Sequence, residues 1–346
     1  MNSSLEKEAY FDLLISNSTF PVFLLDYLAV PEMQRLKGIG MCCGVDYTNL
    51  LPTKYFYSVY DHSLGVALLV WRFTRDRSAT LAALFHDIAT PVFKHCVDIL
   101  DGDSEKQEST EAFTENFICQ STDICRLLNR DGIPSWKVTP PYDDYPVLEN
   151  DLPALCADRL EYNLSGGLVF NRVWELDEIE NILNDLCILE HQNESQIGFR
   201  TLQTAEDFIS HVSRLWPSWV CDEDRLVTGA WAHILGYMLQ RGLLHRSDLY
   251  RFSETDIIAL ILSSQDEYLV RFYKRLVSLS SNDILVGGED IKSSFRVSFS
   301  PKRRYLDPLV RVDGEVARVS ECSSKAKQLI SEYFSYPLHA YVGFNI

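Results

Sequence analysis

The sequence predicts a mainly α-helical protein whose C-terminal region is α+β and contains a small antiparallel hairpin. Apolar residues recur at helical spacing through most of the chain, as at Leu64 and Leu68. Residues 310–319 instead alternate with period two around the Asp-Gly pair at 313–314, which is typical of a hairpin turn. Apolar residues make up 46% of the 346 residues, enough for a large buried core.

The elements follow from apolar spacing and from the breakers that end each segment. The N-terminal segments 1–30 and 32–40 are predicted to be helical, with turns near Pro21 and Gly38. The stretches 41–57 and 131–152 are rich in turn residues and are predicted to be loops. The other helices are predicted at 59–75, 78–89, 92–100, 105–130, 153–164, 176–192, 203–215, 223–244, 254–263 and 323–334. The strands are predicted at 296–299, 310–312 and 315–319.

Composition limits the classes of partner. The net charge of −17 repels a phosphate backbone, so extended nucleic-acid binding is not expected. No apolar run is long enough to cross a bilayer and no signal peptide is expected, which predicts no membrane association. The nine cysteines include no C-x-x-C spacing, which favours reduced thiols in a cytoplasmic protein. A homo-oligomer is left open.

Four polar residues in apolar surroundings are candidate metal ligands, namely His62, His86, Asp87 and Asp158. Their nitrogen and oxygen donors suit one divalent metal ion such as Mn, Fe, Ni, Mg or Zn, and do not suit a thiolate site. Asp87 ends a strongly apolar predicted helix, where a carboxylate needs a partner or a cation. An open coordination position would allow metal-activated water to attack phosphorus.

Three stretches around these residues carry a family likeness. They read PEMQRLK at 31–37, DHSLGV at 61–66 and ADRLEY at 157–162, with the His-Asp pair between the last two. In order and spacing they resemble the HD-domain superfamily of metal-dependent phosphohydrolases, nearest to its dGTPase-like deoxynucleoside triphosphate triphosphohydrolase branch. The resemblance implies an HD-domain helical core, residues 1–165, with a C-terminal helical region and its β-hairpin, residues 166–346, packed on it.

The resemblance also implies catalytic residues. His95 and Asp98 align with positions that line the family's pocket, so His95 would transfer a proton or contact phosphate, with Asp98 orienting it. A helix-capping role is the alternative for His95. Glu108 falls near the family's catalytic His-Glu pair, although Gln107 precedes it here, and a solvated helix face is the alternative.

Substrate contacts are expected from five further residues, Lys94, Arg159, Tyr162, Gln34 and Arg35. Arg159 and Tyr162 follow the ligand aspartate in the ADRLEY stretch, and Tyr162 is expected to contact sugar or phosphate. An ion pair with a neighbouring carboxylate is the alternative for Arg159. Lys94 could supply a phosphate-binding charge, whereas structural packing is the alternative for Gln34 and Arg35.

Several positions depart from the triphosphohydrolase branch. Val59 begins the stretch in which the branch has a phosphate-binding arginine, and Thr90 replaces a catalytic histidine. Met41 replaces the glutamine that selects deoxyribose, and Gly166 replaces an aspartate. These departures indicate a different phosphorylated substrate or a loss of activity, and they predict that deoxynucleoside triphosphates are poor substrates.

The leading hypothesis is a metal-dependent phosphohydrolase that acts on a nucleotide or another phosphate ester by metal-activated water. The alternative is a non-catalytic metal- and nucleotide-binding HD protein that regulates or scaffolds. A diiron oxygenase is disfavoured, because it needs two further histidines before Asp158 and only His95 lies in that interval. A guanosine tetraphosphate hydrolase is disfavoured because residues 88–91 contain no acidic pair.

Overall fold

The computed structural model describes residues 3–104, 113–170, 173–192 and 194–346. Helices dominate these residues, and the mainly α fold with an α+β C-terminal region is confirmed. The helices are α1 (Ser3–Leu14), α2 (Leu24–Leu28), α3 (Pro31–Arg35), α4 (Val59–Thr74), α5 (Arg77–Phe85), α6 (His95–Leu100), α7 (Thr114–Gln120), α8 (Thr122–Asp131), α9 (Ala157–Val169), α10 (Leu176–Asp185), α11 (Leu202–Leu215), α12 (Asp222–Gln240), α13 (Glu254–Ser263), α14 (Glu267–Val277), α15 (Val319–Cys322) and α16 (Ser324–Phe334). The strands are β1 (Leu186–His191), β2 (Glu194–Phe199), β3 (Leu285–Gly287), β4 (Phe295–Val297), β5 (Leu309–Val312), β6 (Glu315–Arg318) and β7 (Tyr341–Phe344).

The strands form two small sheets. The first has the order β1-β2-β5-β6, in which β2 and β5 are parallel and the other neighbours are antiparallel. The predicted β5–β6 hairpin is confirmed, and its turn residues Asp313 and Gly314 have φ angles of 51° and 89°. Positive φ at both central residues is what the hairpin turn requires. The second sheet is antiparallel and has the order β3-β7-β4.

The helix predicted over residues 176–192 is wrong in its second half. α10 ends at Asp185, and the next six residues form β1, which pairs with β2 from Leu186↔Phe199 to His191↔Glu194. A short apolar segment fits a strand as well as a helix, and here the cross-strand partner decides. The sequence also did not predict α14, α15, β2, β3 or β7.

Two helix boundaries differ from the prediction near the candidate ligands. α5 begins one residue early, because Asp76 rather than Ser78 accepts the capping hydrogen bond from the Ala79 amide at 2.9 Å. It ends at Phe85, so the His-Asp pair lies in the turn after the helix. α9 begins four residues later than predicted, because residues 152–154 form a turn, Leu155 bridges to Ile197 in β2 and Cys156 is extended.

The buried apolar side chains form two clusters. The first joins α4, α5 and α9 to the N-terminal helices, α11, the first sheet and α16. The second surrounds α12 with α6, α13, α14 and β7. Both clusters take residues from before and after residue 165, and a boundary there would fall inside α9. Met41 and Phe170 pack against both clusters, which places them at the junction where the cavity described below opens.

In the part of the chain that the structure describes, no helix combines the length and apolarity needed to cross a membrane. The nine cysteines all lie in this part and form no disulfide there.

We expect Gly65→Ala to destabilise the protein, because α4 and α9 touch at this glycine. A Cβ at Gly65 would lie 2.7 Å from Cγ and Oε1 of Glu161, which is too close for carbon and oxygen atoms. Overpacking of this kind costs about 1–3 kcal/mol, more than the ~1 kcal/mol that alanine gains over glycine in a helix. Urea denaturation measures the difference.

Gly166→Ala is the matched control, since it lies in α9 and its Cβ would meet its nearest neighbour at 3.5 Å, an ordinary contact. It should be neutral or slightly stabilising. Equal free energies of unfolding for the two variants would contradict this account of the α4–α9 contact.

Candidate metal centre

His62 lies in the first turn of α4, where a capping box fixes the start of the helix. Ser58 Oγ accepts from the Asp61 amide, and Asp61 in turn accepts from the Ser58 amide at 2.9 Å. The imidazole is 1% exposed, and its Nδ1 lies 2.5 Å from Glu161 Oε2. Because a carboxylate accepts the Nδ1 proton, Nε2 is the nitrogen that can offer a lone pair to a metal once its own proton is released.

Glu161 is fully buried and accepts three further hydrogen bonds. Tyr57 donates to it at 2.7 Å, Tyr10 at 3.1 Å and Ser165 at 3.2 Å. A buried carboxylate is costly unless its oxygens are satisfied, and these donors satisfy it. The network therefore fixes the orientation of the His62 ring.

His86 and Asp87 follow α5 directly. His86 Nδ1 lies 2.7 Å from the Ala83 carbonyl, which can only accept, so Nδ1 carries the proton. Its Nε2 is buried and has no hydrogen-bond partner among the described residues. A buried imidazole nitrogen without a hydrogen-bond partner is expected of a metal ligand, because a bound metal would occupy its lone pair. One ring nitrogen each from His62 and His86 and one Asp87 oxygen lie within 4.8 Å of one another.

Asp158 closes the cluster from the first turn of α9. Its Oδ1 lies 3.0 Å from His62 Nε2 and 3.6 Å from His86 Nε2, the second distance being too long for a hydrogen bond. All four predicted ligands are therefore brought together. Two imidazole nitrogens and two carboxylates fit a divalent cation, and His62, His86 and Asp87 form the core of the set.

Electrostatics supports a cation at this position. Burial alone would lower the pKa of His62, but the carboxylates of Glu161 and Asp158 raise it to about 9. Burial would raise the pKa of Asp87, yet Lys94 and the two imidazoles hold it well below its usual range. Both shifts show that the carboxylates are arranged to attract positive charge.

A cavity of about 930 Å³ opens from this cluster. His95 lines it from the first turn of α6, and its Nδ1 lies 2.9 Å from Oδ2 of the fully buried Asp98. Burial lowers the pKa of His95, and the nearby charges of Arg304 and Lys94 lower it further against the effect of Asp98. The imidazole is therefore neutral at neutral pH.

Lys94 also lines the cavity, and its Nζ donates to Asp87 Oδ2 at 3.1 Å. Its φ of 43° follows a φ of 59° at Phe93, and two consecutive residues with side chains rarely both adopt a positive φ. Phe93 holds the conformation, since its ring stacks on Trp231 at 3.9 Å and its amide donates to Glu254 at 3.0 Å. The second cluster thus holds Lys94 against the metal ligand.

Arg159 and Tyr162 line the cavity as well, but their side chains make different kinds of contact. The Arg159 guanidinium donates to the Ala154 carbonyl at 2.9 Å and to Asn150, so it orders the loop before α9. Neither of the neighbouring carboxylates, Asp158 and Glu161, is its hydrogen-bond acceptor. Tyr162 packs edge-to-face on Trp219, with ring centroids 5.3 Å apart.

Gln34 and Arg35 do not line the cavity, so the expected substrate contacts are not supported for them. Gln34 donates to the Leu28 carbonyl at 2.6 Å. Arg35 donates to the carbonyls of Ile88 and Thr90 at 3.0 and 2.8 Å and therefore supports the turn that carries the His-Asp pair. Glu108 lies outside the described residues.

Three cavity or second-layer residues were missed by the sequence reasoning. Glu161 had a signal, because it is three residues after Asp158 and thus shares its helix face. Arg304 and Asp224 line the cavity but belong to distant parts of the chain that carry no motif. Nothing in their local sequence could have placed them at the cavity.

Residues 59–133 match the sequence profile of the HD domain. The matched stretch includes His62, His86 and Asp87, and the described part of it runs from α4 to the end of α8. The match and the His-His-Asp cluster agree with each other, since HD domains bind divalent metals.

Among relatives, the chain is 24% identical over 327 residues to the uncharacterized protein YdhJ of Bacillus subtilis, covering 92% of this chain and 93% of that protein. It is 28% identical over 181 residues to the metal-dependent phosphohydrolase cns2 of Cordyceps militaris, covering 52% of this chain and 49% of the relative. The second match therefore spans about half the length of each protein.

Two solved structures share the fold. One is a hypothetical protein from Aquifex aeolicus, with a TM-score of 0.59 and 14% identity, covering 92% of this chain and 90% of that one. The other is a phosphohydrolase from Bacteroides thetaiotaomicron, with a TM-score of 0.60 and 14% identity, covering 93% and 95%. The sequence relatives thus include one metal-dependent phosphohydrolase, whereas placement in the dGTPase-like branch stays a prediction.

We expect purified protein to contain about one divalent ion per chain and Asp87→Ala to lose most of it, because the remaining ligands cannot complete the set. Elemental analysis measures the stoichiometry. Asp224→Asn is the matched control, since Asp224 lines the same cavity outside the cluster. Full metal occupancy in Asp87→Ala would rule out this ligand assignment.

Metal uptake by the metal-free protein should strengthen as pH rises. A His62 pKa of about 9 means that binding must expel a proton below that pH. Against the effect of burial, Asp87 and Asp158 raise the pKa of His86 as well, so the apparent association constant should rise at least about tenfold per pH unit between roughly pH 6.5 and 8.5 and level off above 9. Competition with a chromophoric chelator measures it.

Glu161→Gln is the comparison variant for this titration, because a neutral amide cannot raise the His62 pKa as the carboxylate does. Its pH dependence should be flatter and its metal affinity weaker by about 10- to 100-fold. A wild-type affinity that does not change between these pH values would refute the proton competition.

Proposed function

We propose that this protein is a metal-dependent phosphohydrolase that acts on a small phosphorylated compound, a nucleotide or another phosphate ester. The observation that carries the proposal is the convergence of two imidazole nitrogens and two carboxylates at one end of a cavity of about 930 Å³. The HD-domain match and the phosphohydrolase relative support it.

The donor set fits a divalent ion held by His62, His86, Asp87 and Asp158, with Mn, Fe, Ni, Mg and Zn all compatible. Such an ion would polarise a phosphate oxygen and lower the pKa of a coordinated water. Asp98 keeps the proton of His95 on Nδ1, which leaves the Nε2 lone pair to accept a proton from the attacking water. Asp98 is thus a positioning residue for His95.

The residues that line the cavity indicate which substrates would fit it. Tyr162, Trp219 and Phe170 provide apolar and aromatic surface, which suits a ring-bearing compound of nucleotide size. Met41 and Gly166 line the cavity and offer no side-chain hydrogen bond to a sugar hydroxyl. We therefore place deoxynucleoside triphosphates among the poor substrates. We propose that this protein shares its helical scaffold with the dGTPase-like branch and does not share its substrate.

The same proposal includes the class of partner and the cellular compartment. The net charge of −17 supports a small phosphorylated partner over extended nucleic acid. The unpaired cysteines of the described chain support a reducing, cytoplasmic compartment.

We expect the metal-loaded protein to release phosphate from at least one phosphate ester in a panel of nucleotides and sugar phosphates assayed with Mn, Mg, Fe, Ni and Zn. His95→Ala should lower kcat by about 10²- to 10⁴-fold and leave the metal bound, because proton transfer is worth that much. Steady-state kinetics and elemental analysis on the same preparations measure both effects.

His233→Ala is the control, since His233 bonds to Tyr268 at 2.9 Å and does not line the cavity. It should keep kcat near the wild-type value. If the wild-type protein hydrolyses nothing with any of these metals, the non-catalytic binding protein becomes the better account.

A further inference from the structure

The C-terminal region returns to the cavity at residues 299–304. Lys302 and Arg304 line the wall there. Four hydrogen bonds hold this stretch and the residues just after it in place. Arg225 Nε donates to the Phe299 carbonyl at 3.1 Å, and the Arg303 guanidinium donates to the carbonyls of Tyr333 and Tyr336 at 2.6 and 2.9 Å. The Asp307 amide donates to the Pro153 carbonyl at 2.9 Å. The position of Arg304 is therefore set by the fold on both sides of it.

Arg304 faces the imidazole that the proposed function uses. One of its guanidinium nitrogens lies 3.4 Å from His95 Nε2. Because Asp98 accepts the Nδ1 proton at 2.9 Å, Nε2 is the acceptor and Arg304 the donor. The contact is long for a hydrogen bond, and it occupies the lone pair that would accept a proton from water.

The cavity lining carries charges of both signs. Asp87 and Asp158 belong to the metal cluster and Lys94 pairs with Asp87, whereas Lys302 and Arg304 add two cations from the C-terminal stretch of a chain with a net charge of −17. Asp224 also lines the cavity, and burial raises its pKa to about 7 against the opposing charge of Arg304. Arg304 thus lies within electrostatic reach of a carboxylate and a neutral imidazole, and its planar fork matches the several oxygens of a phosphate better than the single nitrogen of an imidazole.

We propose that Arg304 is a phosphate-binding residue that turns from His95 Nε2 to the substrate, so that a bound phosphoryl group frees His95 to accept a proton. This inference rests on the proposed function and names its substrate class as phosphomonoesters and terminal phosphates. Such a group has three non-bridging oxygens, enough to face the metal side and still receive two guanidinium hydrogen bonds. A phosphodiester has only two.

The test uses the full-length, metal-loaded protein and inorganic phosphate as the probe, measured by isothermal titration calorimetry. Arg304→Gln should weaken phosphate binding by about 10- to 100-fold, the range expected for charge-assisted hydrogen bonds, with unchanged metal content. Arg304→Lys should recover part of the affinity, because it keeps the charge and loses the fork.

Arg303→Gln is the matched control. It removes the same charge one residue away, where the guanidinium binds carbonyls at the end of α16 and does not line the cavity. Its phosphate affinity should equal that of the wild type, even if its melting temperature falls. Equal phosphate affinity in wild type and Arg304→Gln would overturn the proposal.

Kinetics separates this inference from the proposed function. Arg304→Gln should raise KM for a phosphomonoester more than for a diester with the same leaving group. If Arg304→Gln hydrolyses the monoester with wild-type KM and kcat, the role proposed for Arg304 is wrong and the proposed phosphohydrolase function still holds. If phosphate binding depends on Arg304 but no ester is hydrolysed, the phosphate site is supported and the proposed enzymatic function is wrong.

Discussion

The buried hydrogen bond between His62 and Glu161 is the interaction on which the metal centre depends. It joins α4 to α9, the two helices that carry the first and last ligands, and it turns His62 Nε2 toward the other metal ligands. Tyr10 and Tyr57 donate hydrogen bonds to Glu161 from two other segments, so a change in any of these segments would affect the position of His62. The close approach at Gly65 exists because Glu161 must fit between the helices.

A second constraint comes from the other side of the cavity. Phe93 stacks on Trp231 in α12, and the resulting backbone conformation carries Lys94 to Asp87. The same side of the molecule supplies His95, while residues 299–304 supply Arg304. The metal side belongs to the first apolar cluster and Phe93 and Trp231 belong to the second. The relative position of the two clusters therefore sets the distance between the ligands and the groups that would handle substrate.

What the sequence could predict follows from how local the determinants are. The four metal ligands lie in short motifs on, or directly after, apolar helices, so their type and order could be recognised in the sequence, and the structure brings them together. The β5–β6 hairpin was equally local, because Asp313 and Gly314 specify its turn. β1 was misread as helix, since its pairing with β2 is a non-local fact. Arg304 was invisible because only the tertiary fold brings it to His95.

The central claim is that one divalent ion binds between the Nε2 atoms of the two histidines and the carboxylates of Asp87 and Asp158. The most direct measurement is anomalous X-ray diffraction from crystals of the protein loaded with Mn. The account predicts one strong anomalous peak per chain, about 2 Å from both Nε2 atoms and from carboxylate oxygens of both aspartates. A peak located elsewhere, or no peak in crystals whose protein contains Mn by elemental analysis, would contradict it.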